Sequence, residues 1–383
     1  MKILMVAIPN HHFFQWVNQL KDAGHEVIWF DITDGGPKAD KIDWVKQIKG
    51  WKLRWDFPMR SRVKTKWPEL YKWLLKYNTK STSKVFEQLL KQEKPDIVHC
   101  FEMQLAGFPI LQTMQTNTIP FIYSSWGSDL FYFEQKGFSK LEVETFLQRV
   151  NYLITDCKRD YGIALSHQFK GVFLGVFPGN GGLTLDPIAI KPTRERRVIL
   201  IKGYDDGLGK ASIVLSALET ISKETLAAFE IIIYSADTSI QSVVRNSKKL
   251  SALNIKIQSR YQFMKNKQLL EIMGSTAIHI ANSLSDGMPN ALLEAMGMGA
   301  FPIQSNPGRV TEEVITNSVN GFLIDNPLDE NRIAVLIKEA IFNETLRESA
   351  QGYNVTFIKE NYNRIALKPK IVTLYNTILL KRN

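Results

Sequence analysis

Two carboxylates eight positions apart, Asp286 and Glu294, stand in the run Ser283 to Ile303, SLSDGMPNALLEAMGMGAFPI, which holds acids, glycines and a proline at spacings that can do chemistry. The run follows an apolar segment, Ala277 to Asn282, that reads as a buried parallel strand, and it precedes a second short strand, Phe301 to Ser305. Ser285 or Asp286 is a natural cap for a helix between them, Pro289 suits its first turn, and Gly299 suits the residue past its end. A polar, glycine-containing loop running onto a helix N-terminus offers unpaired backbone N–H groups and partial positive charge, the setting for a phosphate. Were the segment helical throughout, the carboxylates would lie roughly 12 Å apart, too far to work as an acid and a base on one bond. They can instead hold two ends of one extended ligand, because an ionised carboxylate accepts hydrogen bonds from neutral hydroxyls.

A sugar at one end and a ribose at the other, with a diphosphate at the helix end between them, match that demand. The stretch resembles the acidic motif of the family-4 retaining glycosyltransferases, the "glycosyl transferases group 1" of GT-B fold: Glu, seven residues, Glu, then Ala-Met-x-x-Gly. Asp286 stands at the first acidic position, one methylene shorter than usual, and Glu294 at the second. The resemblance implies that Asp286 lies by the donor sugar, that Glu294 binds the ribose, and that Gly287, Met288, Pro289 and Asn290 line the donor.

A second turn, Lys202 to Lys210, carries in that family an arginine just after the first glycine and a lysine six residues further, both on the donor diphosphate. Here Gly203 is the glycine, Lys210 matches the lysine and Tyr204 stands in the arginine's place. A tyrosine cannot neutralise charge, so Lys202, or Arg260 just past its own strand, is expected to compensate. Relatives commonly place a His-Gly pair after a first-domain strand, with the histidine by the transfer centre. Trp126 occupies that place here, followed by Gly127, Ser128 and Asp129. His11 and His12 after the first strand, and His99 at another strand's end, are the histidines that remain. The residues alone do not rank them. His11 and His12 join Asp286 and Lys210 as catalytic candidates, and His99, Glu102, Trp126, Ser128 and Asp129 form the acceptor side.

These residues need a scaffold of strand ends. Lys2–Ala7, Glu26–Asp31, Asp96–Phe101, Pro120–Ser125, Tyr152–Asp156 and Gly171–Gly175 read as strands of one parallel α/β domain. Asp31 sits where an acid could hold a cofactor ribose, but the first turn, Ile8 to His12, has no glycine fingerprint, which argues against a nicotinamide oxidoreductase. The turn Val176 to Gly182 resembles the family's Pro-Asn-Gly crossing. Leu183 to Arg197, with two prolines and no periodicity, reads as a linker. A second series follows: Val198–Lys202, Phe229–Tyr234, Ile255–Ser259, the strand at Ala277, Phe301–Ser305 and Gly321–Asp325. Ser305 to Glu313 and Asn320-Gly321 resemble the family's Gly-x-x-Glu and Asn-Gly turns. The expected fold is thus α/β, a GT-B pair of Rossmann-like domains facing each other across a cleft. Residues 1–185 are the acceptor domain, 186–197 the linker, 198–362 the donor domain, and 363–383 a last helix packing back on the first domain.

Composition sets the partners. The 383 residues carry a net charge of +10, and residues 41–94 alone hold 15 Lys/Arg against five Asp/Glu. Five of the eight tryptophans lie there too: Trp44, Trp51, Trp55, Trp67 and Trp73. Basic residues interleaved with indoles can meet an anionic membrane or an anionic acceptor, or form a solvated face over core aromatics. No nucleic-acid-binding motif is visible, so no nucleic acid is expected. Two cysteines, Cys100 and Cys157, give no disulfide framework, and MKILMVAIPN reads as a strand and not a secretory signal. The expectation is a cytoplasmic protein, peripheral on the inner face of the cytoplasmic membrane. It would move a sugar from a nucleoside diphosphate sugar to a glycan or lipid-linked acceptor of a surface polysaccharide or glycolipid. No Asp-x-Asp motif occurs, and neither a metal nor another cofactor is expected. A non-catalytic nucleotide-sugar-binding or regulatory protein and a sugar-nucleotide epimerase are the competing readings.

Overall fold

Runs such as Lys2–Ala7 (KILMVA) and Thr276–Ala281 (TAIHIA) are buried along almost their whole length, as strands covered on both faces by helices must be. The computed structural model describes residues 1–56 and 59–380. The described chain divides into two compact units. The first comprises Met1–Asp156, Asp160–Gly181 and the chain from Lys370 onward; the second comprises Cys157–Arg159 and Gly182–Pro369.

The first unit is built on a seven-stranded sheet of order β3-β2-β1-β4-β5-β6-β7. Its strands are β1 (Lys2–Ala7), β2 (Glu26–Asp31), β3 (Lys46–Ile48), β4 (Ile97–Phe101), β5 (Phe121–Ser125), β6 (Tyr152–Thr155) and β7 (Val172–Val176). Every pairing is parallel, for example Ile3 opposite both Val27 and Ile97. The second unit has a six-stranded parallel sheet of order β10-β9-β8-β11-β12-β13. Its strands are β8 (Val198–Lys202), β9 (Glu230–Ala236), β10 (Ile255–Ser259), β11 (Thr276–Ala281), β12 (Phe301–Ser305) and β13 (Phe322–Ile324). Both sheets run outward from their first strand in two directions. That leaves a switch point between β1 and β4 and another between β8 and β11, where open α/β sheets take ligands at their carboxyl edge.

The basic segment departs from expectation. Lys46–Ile48 adds an edge strand beside β2, and the stretch after Pro68 forms two helices, Pro68–Asn78 and Thr82–Glu93, and not one. The break has a cause. The buried Asn78 carboxamide exchanges two hydrogen bonds with the Trp55 backbone (2.9 and 2.8 Å), Thr79 bridges to Leu53, and Ser81 caps the next helix. The stretch 186–197, read as linker, belongs to the second unit and forms two short 3-10 turns. Arg196 pins it, its buried guanidinium donating to the carbonyls of Lys191, Thr276 and Met298 at 2.8 to 3.0 Å. Desolvation brings that guanidinium down to about 10. After Asp329 the described chain is helical: Glu330–Phe342, Glu344–Tyr362 and Arg364–Leu380. The last helix passes at Pro369 from the second unit's residues to the first's. No described helix is long and apolar enough to cross a membrane.

Candidate functional site

In the second unit the turns after β8 and β11 meet at the carboxyl edge beside the switch point. They are zipped together by a short antiparallel bridge, Lys210 N–H to the Asn282 carbonyl and Leu284 N–H to the Leu208 carbonyl, both 2.9 Å, and the Ser283 N–H adds a bond to Ser305 Oγ at the end of β12. Gly203 makes the approach of β8 to β9 close enough: a Cβ there would lie 2.6 Å from Ala236 Cα.

The helix that follows the acidic loop spans Asn290–Gly297, with Pro289 in extended conformation at its cap. The expectation that Ser285 or Asp286 caps it is corrected. Pro289 disfavours helical geometry at Met288, the chain bends at Gly287 and Met288 before the helix begins, and the helical 12 Å separation of Asp286 from Glu294 does not apply. Asp286 instead folds its carboxylate onto its own turn, accepting from Gly287 N–H at 2.9 Å, with Lys202 Nζ 4.0 Å away. Burial raises its carboxyl above the usual range against the pull of Lys202. Glu294 is half-buried, accepts from Asn266 Nδ2 at 3.0 Å, and is pushed up to about 6 by desolvation. Gly299 ends this element with φ +77°.

Tyr204 lies between two cations, with Lys202 Nζ 4.7 Å from its ring centre and the Arg260 guanidinium 4.2 Å from it. They are not equivalent. Arg260 is committed to Asp206 at 3.1 Å and to Asp237 at 2.9 and 3.0 Å, so two carboxylates cancel its charge. Asp237 also receives the Asp205 N–H, and Asp205 receives Ser212, which laces the turn. Lys202 faces a single carboxylate, Asp286, and Lys210 sits at the head of the Ala211–Thr220 helix. Of the two compensating cations expected, Lys202 is the one with charge to offer. Asn266, at the start of the Asn266–Gly274 helix, and the lacing acids, just after β8 and β9, carry no sequence signal beyond those places. Behind the site Tyr234 and His279 pair inside the core at 2.9 Å, and burial holds the imidazole at about 3.

The first unit separates its candidates. His11 is exposed and His12 half-buried, at the start of the His11–Val17 helix, which Asn10 caps through the Phe13 N–H. Trp126 reaches the same place, its ring 6.1 Å from that of His12 and 5.0 Å from Phe101. Glu102 and Ser128 are half-buried. Glu102 has φ +71°, a left-handed value that a side chain other than glycine's reaches only against strain, at the carboxyl end of β4. Two candidates are corrected. His99 is fully enclosed, its Nδ1 bonded to Tyr375 and its Nε2 to Ser124, both 2.8 Å, and burial holds it neutral at about 3. Its place in mid-strand, stacked on Phe101 and closed over by Tyr375, keeps it out of reach of a ligand. Asp129 is also buried and fully employed, accepting from Met103 N–H and Tyr123 OH at 2.5 Å and Gln104 N–H at 3.3 Å. Desolvation, with Glu102 nearby, pushes it up to about 7.

Two Rossmann-like α/β units, one carrying a zipped pair of turns with acids at its switch point, define a protein of the GT-B glycosyltransferase class. Residues 210–355 match the family model "Glycosyl transferases group 1" and residues 2–157 match "Glycosyl transferase 4-like". The chain belongs to the group 1, family-4 glycosyltransferases. No curated protein sequence matches it. Among solved structures it is similar to a sucrose-phosphate synthase (tll1590) from Thermosynechococcus elongatus, at 14% identity over 100% of both chains with a TM-score of 0.72. It is likewise similar to Anabaena Alr3699/HepE in complex with UDP-glucose, at 11% identity over 98% of this chain and 100% of that one, TM-score 0.68. A glycosyltransferase from Rickettsia africae resembles it at 15% identity over 99% of this chain and 98% of that one, TM-score 0.64. At these identities the likeness is one of fold.

Proposed function

We propose that the protein is a retaining glycosyltransferase that moves a sugar from a nucleoside diphosphate sugar to an acceptor hydroxyl, with the donor in the second unit and the acceptor on the first. The observation that carries this reading is the zipped pair of turns, which brings Asp286, Lys202 and Lys210 to one edge of the second sheet with the Asn290–Gly297 helix pointing its N-terminus there. The diphosphate takes the N–H groups of that helix end with Lys210 and Lys202, which stabilise the charge that develops as it leaves. Asp286 holds hydroxyls of the donor sugar and Glu294 those of the ribose. Retention follows from attack on the face the leaving phosphate occupies, the phosphate taking the acceptor's proton, with no covalent nucleophile assigned. His11, His12, Glu102, Trp126 and Ser128 receive the acceptor, and His11 or His12 supplies the histidine that Trp126 replaces. No step requires a divalent ion. The acceptor is a glycan or a lipid-linked intermediate of a surface polysaccharide or glycolipid, met at the cytoplasmic face of the membrane.

The test is thermal stability of the purified chain with UDP, GDP, ADP and CMP and their sugar conjugates, with and without EDTA, since a ligand of the folded state raises the melting temperature by mass action. Uridine comes first, because HepE was solved with UDP-glucose. A shift with one nucleoside diphosphate that survives EDTA supports the donor reading. No shift with any of them overturns it. A shift without turnover on any acceptor moves the assignment to a non-catalytic binder, and conversion of the donor with no acceptor present moves it to an epimerase.

A further inference from the structure

The Pro68–Asn78 helix turns the wrong face to water. Trp67, Leu70, Trp73 and Tyr77, spaced three, three and four residues apart, form one stripe along it. They are 58%, 48%, 54% and 61% exposed, while Asn78 is the only residue of the helix that is buried. Trp73 and Tyr77 pack edge to face on each other, ring centres 5.3 Å apart, and Trp55, 48% exposed, stands beside the helix's anchored end. The ridge is held in place and is not a loose flap. Asn78 locks its end to Trp55 through two backbone hydrogen bonds, and Lys80 continues the pairing to the Lys52 carbonyl at 2.8 Å.

The surroundings are cationic. Arg62, Lys64 and Lys66 precede the ridge and Lys72 and Lys76 flank it, all exposed. Of these, Lys72 pairs with Glu69 at 2.8 Å. Next to it a cavity of about 470 Å³ is lined by Arg54, Arg60 and Lys80, with Asp34 and Asp56. Asp34 is occupied by the N–H groups of Gly50 and Lys52 at 2.6 and 2.8 Å, and Asp56 pairs with Arg60 at 3.0 Å. Exposed indoles and a leucine on one helix face, framed by lysines, have the make-up of an element lying at the boundary of headgroups and acyl chains. A convex ridge bearing an aliphatic side chain offers no groove for a nucleic-acid strand, whose bases stack along a channel.

We propose that this ridge is a docking face for an anionic phospholipid bilayer, with Trp67, Leu70, Trp73 and Tyr77 entering the interface. The cavity at Arg54, Arg60 and Lys80 takes a headgroup phosphate. The proposal rests on the transferase reading only for what the docking is for, which is to bring a lipid-linked acceptor to the first unit.

The experiment is sedimentation of the full chain with vesicles of phosphatidylcholine alone and of phosphatidylcholine with phosphatidylglycerol, at low and at physiological salt. Binding is expected to the anionic vesicles and not to the neutral ones, weakened by salt. The triple variant W67S/L70S/W73S changes exposed positions only, so it should keep the wild-type melting temperature and lose at least tenfold in vesicle binding. K64E/K66E/K76E should lose more, at about fivefold for each charge removed from near an anionic surface. No binding to anionic vesicles, or binding that the aromatic variant leaves intact, overturns the proposal, as does tight binding of a single-stranded oligonucleotide in place of vesicles. The nucleotide-induced thermal shift separates the two readings: vesicle binding lost with that shift retained removes the docking face and leaves the transferase standing.

Discussion

At the scale of single residues the candidate site is a set of charges whose partners decide their roles. Glu294 is held at about 6 by burial, above its ordinary value near 4.5. In the role proposed for Glu294, ribose hydroxyls donate into the ionised form, so donor affinity should be full above pH 6 and fall as the pH drops through it. A Glu294→Gln variant should bind the donor more weakly at neutral pH and lose this dependence, as calorimetric titration from pH 5 to 8 would show. The free protein should behave in the opposite sense. A raised carboxyl stabilises the fold below its unfolded value and loses that contribution as the pH rises through 6. The two lysines make a second prediction. Lys202→Met and Lys210→Met should each weaken binding of the nucleoside diphosphate by about 10- to 100-fold, the worth of one charge-assisted hydrogen bond. Full affinity in Lys210→Met would remove it from the diphosphate. Arg260, already paired with Asp206 and Asp237, should act through the turn's geometry, so Arg260→Gln should lower the melting temperature as well as the affinity.

At the scale of elements the site depends on how tightly β8 is laid on β9. A Cβ on Gly203 would meet Ala236 Cα at 2.6 Å, with Ala236 Cβ and Ile233 Cγ2 at 2.8 Å. Backbone cannot yield as a flexible side-chain tip does, so Gly203→Ala should cost about 1–3 kcal/mol and shift the β8 turn away from the acidic loop. Lost donor binding together with a lowered melting temperature is the expected result; unchanged binding would show that the turn tolerates the shift. Twelve of the thirteen described strands are legible in the sequence because buried parallel strands are largely apolar runs, as Val198–Lys202 is. The acidic loop is legible as a motif, but its helix is capped three or four residues later than Ser285 or Asp286 would cap it, because Pro289 keeps Met288 out of helical geometry. The edge strand Lys46–Ile48 was hidden because it is short, half-exposed and set in a basic segment. Tertiary pairing with β2 makes it a strand. The enclosure of His99 is hidden for a related reason. A histidine within an apolar strand shows its register in the sequence and not what lies above it, and what lies above it here is Tyr375, 276 residues later.

At the scale of the molecule that late contact is the point, because the first unit is not finished until the end of the chain arrives. Tyr375 is buried in the first unit, accepting from Trp16 Nε1 at 3.0 Å and lying 2.8 Å from His99 Nδ1. The indole N–H only donates, so the Tyr375 oxygen accepts from it. His99 bridges that hydroxyl and the Ser124 hydroxyl through its two ring nitrogens, and the Ser124 carbonyl receives the N–H of the strained Glu102. One hydroxyl on the last helix therefore closes a chain of hydrogen bonds from the helix after β1, through β4, to β5. Tyr375→Phe keeps the ring's packing but leaves a buried indole N–H and an imidazole nitrogen without partners, each costing about 1–3 kcal/mol. Hydrogen exchange should show the loss as reduced protection of β1, β4 and the His11–Val17 helix. The second unit's turns should keep their protection, and the nucleotide-induced thermal shift should survive, because Lys202, Lys210 and Glu294 all belong to that unit. If the variant instead leaves β4 protected, the hydroxyl is replaceable and the last helix is held by its apolar contacts alone. Loss of the nucleotide response would mean that the two units' stabilities are coupled through this helix, and the donor site would then have to be studied only with the end of the chain intact.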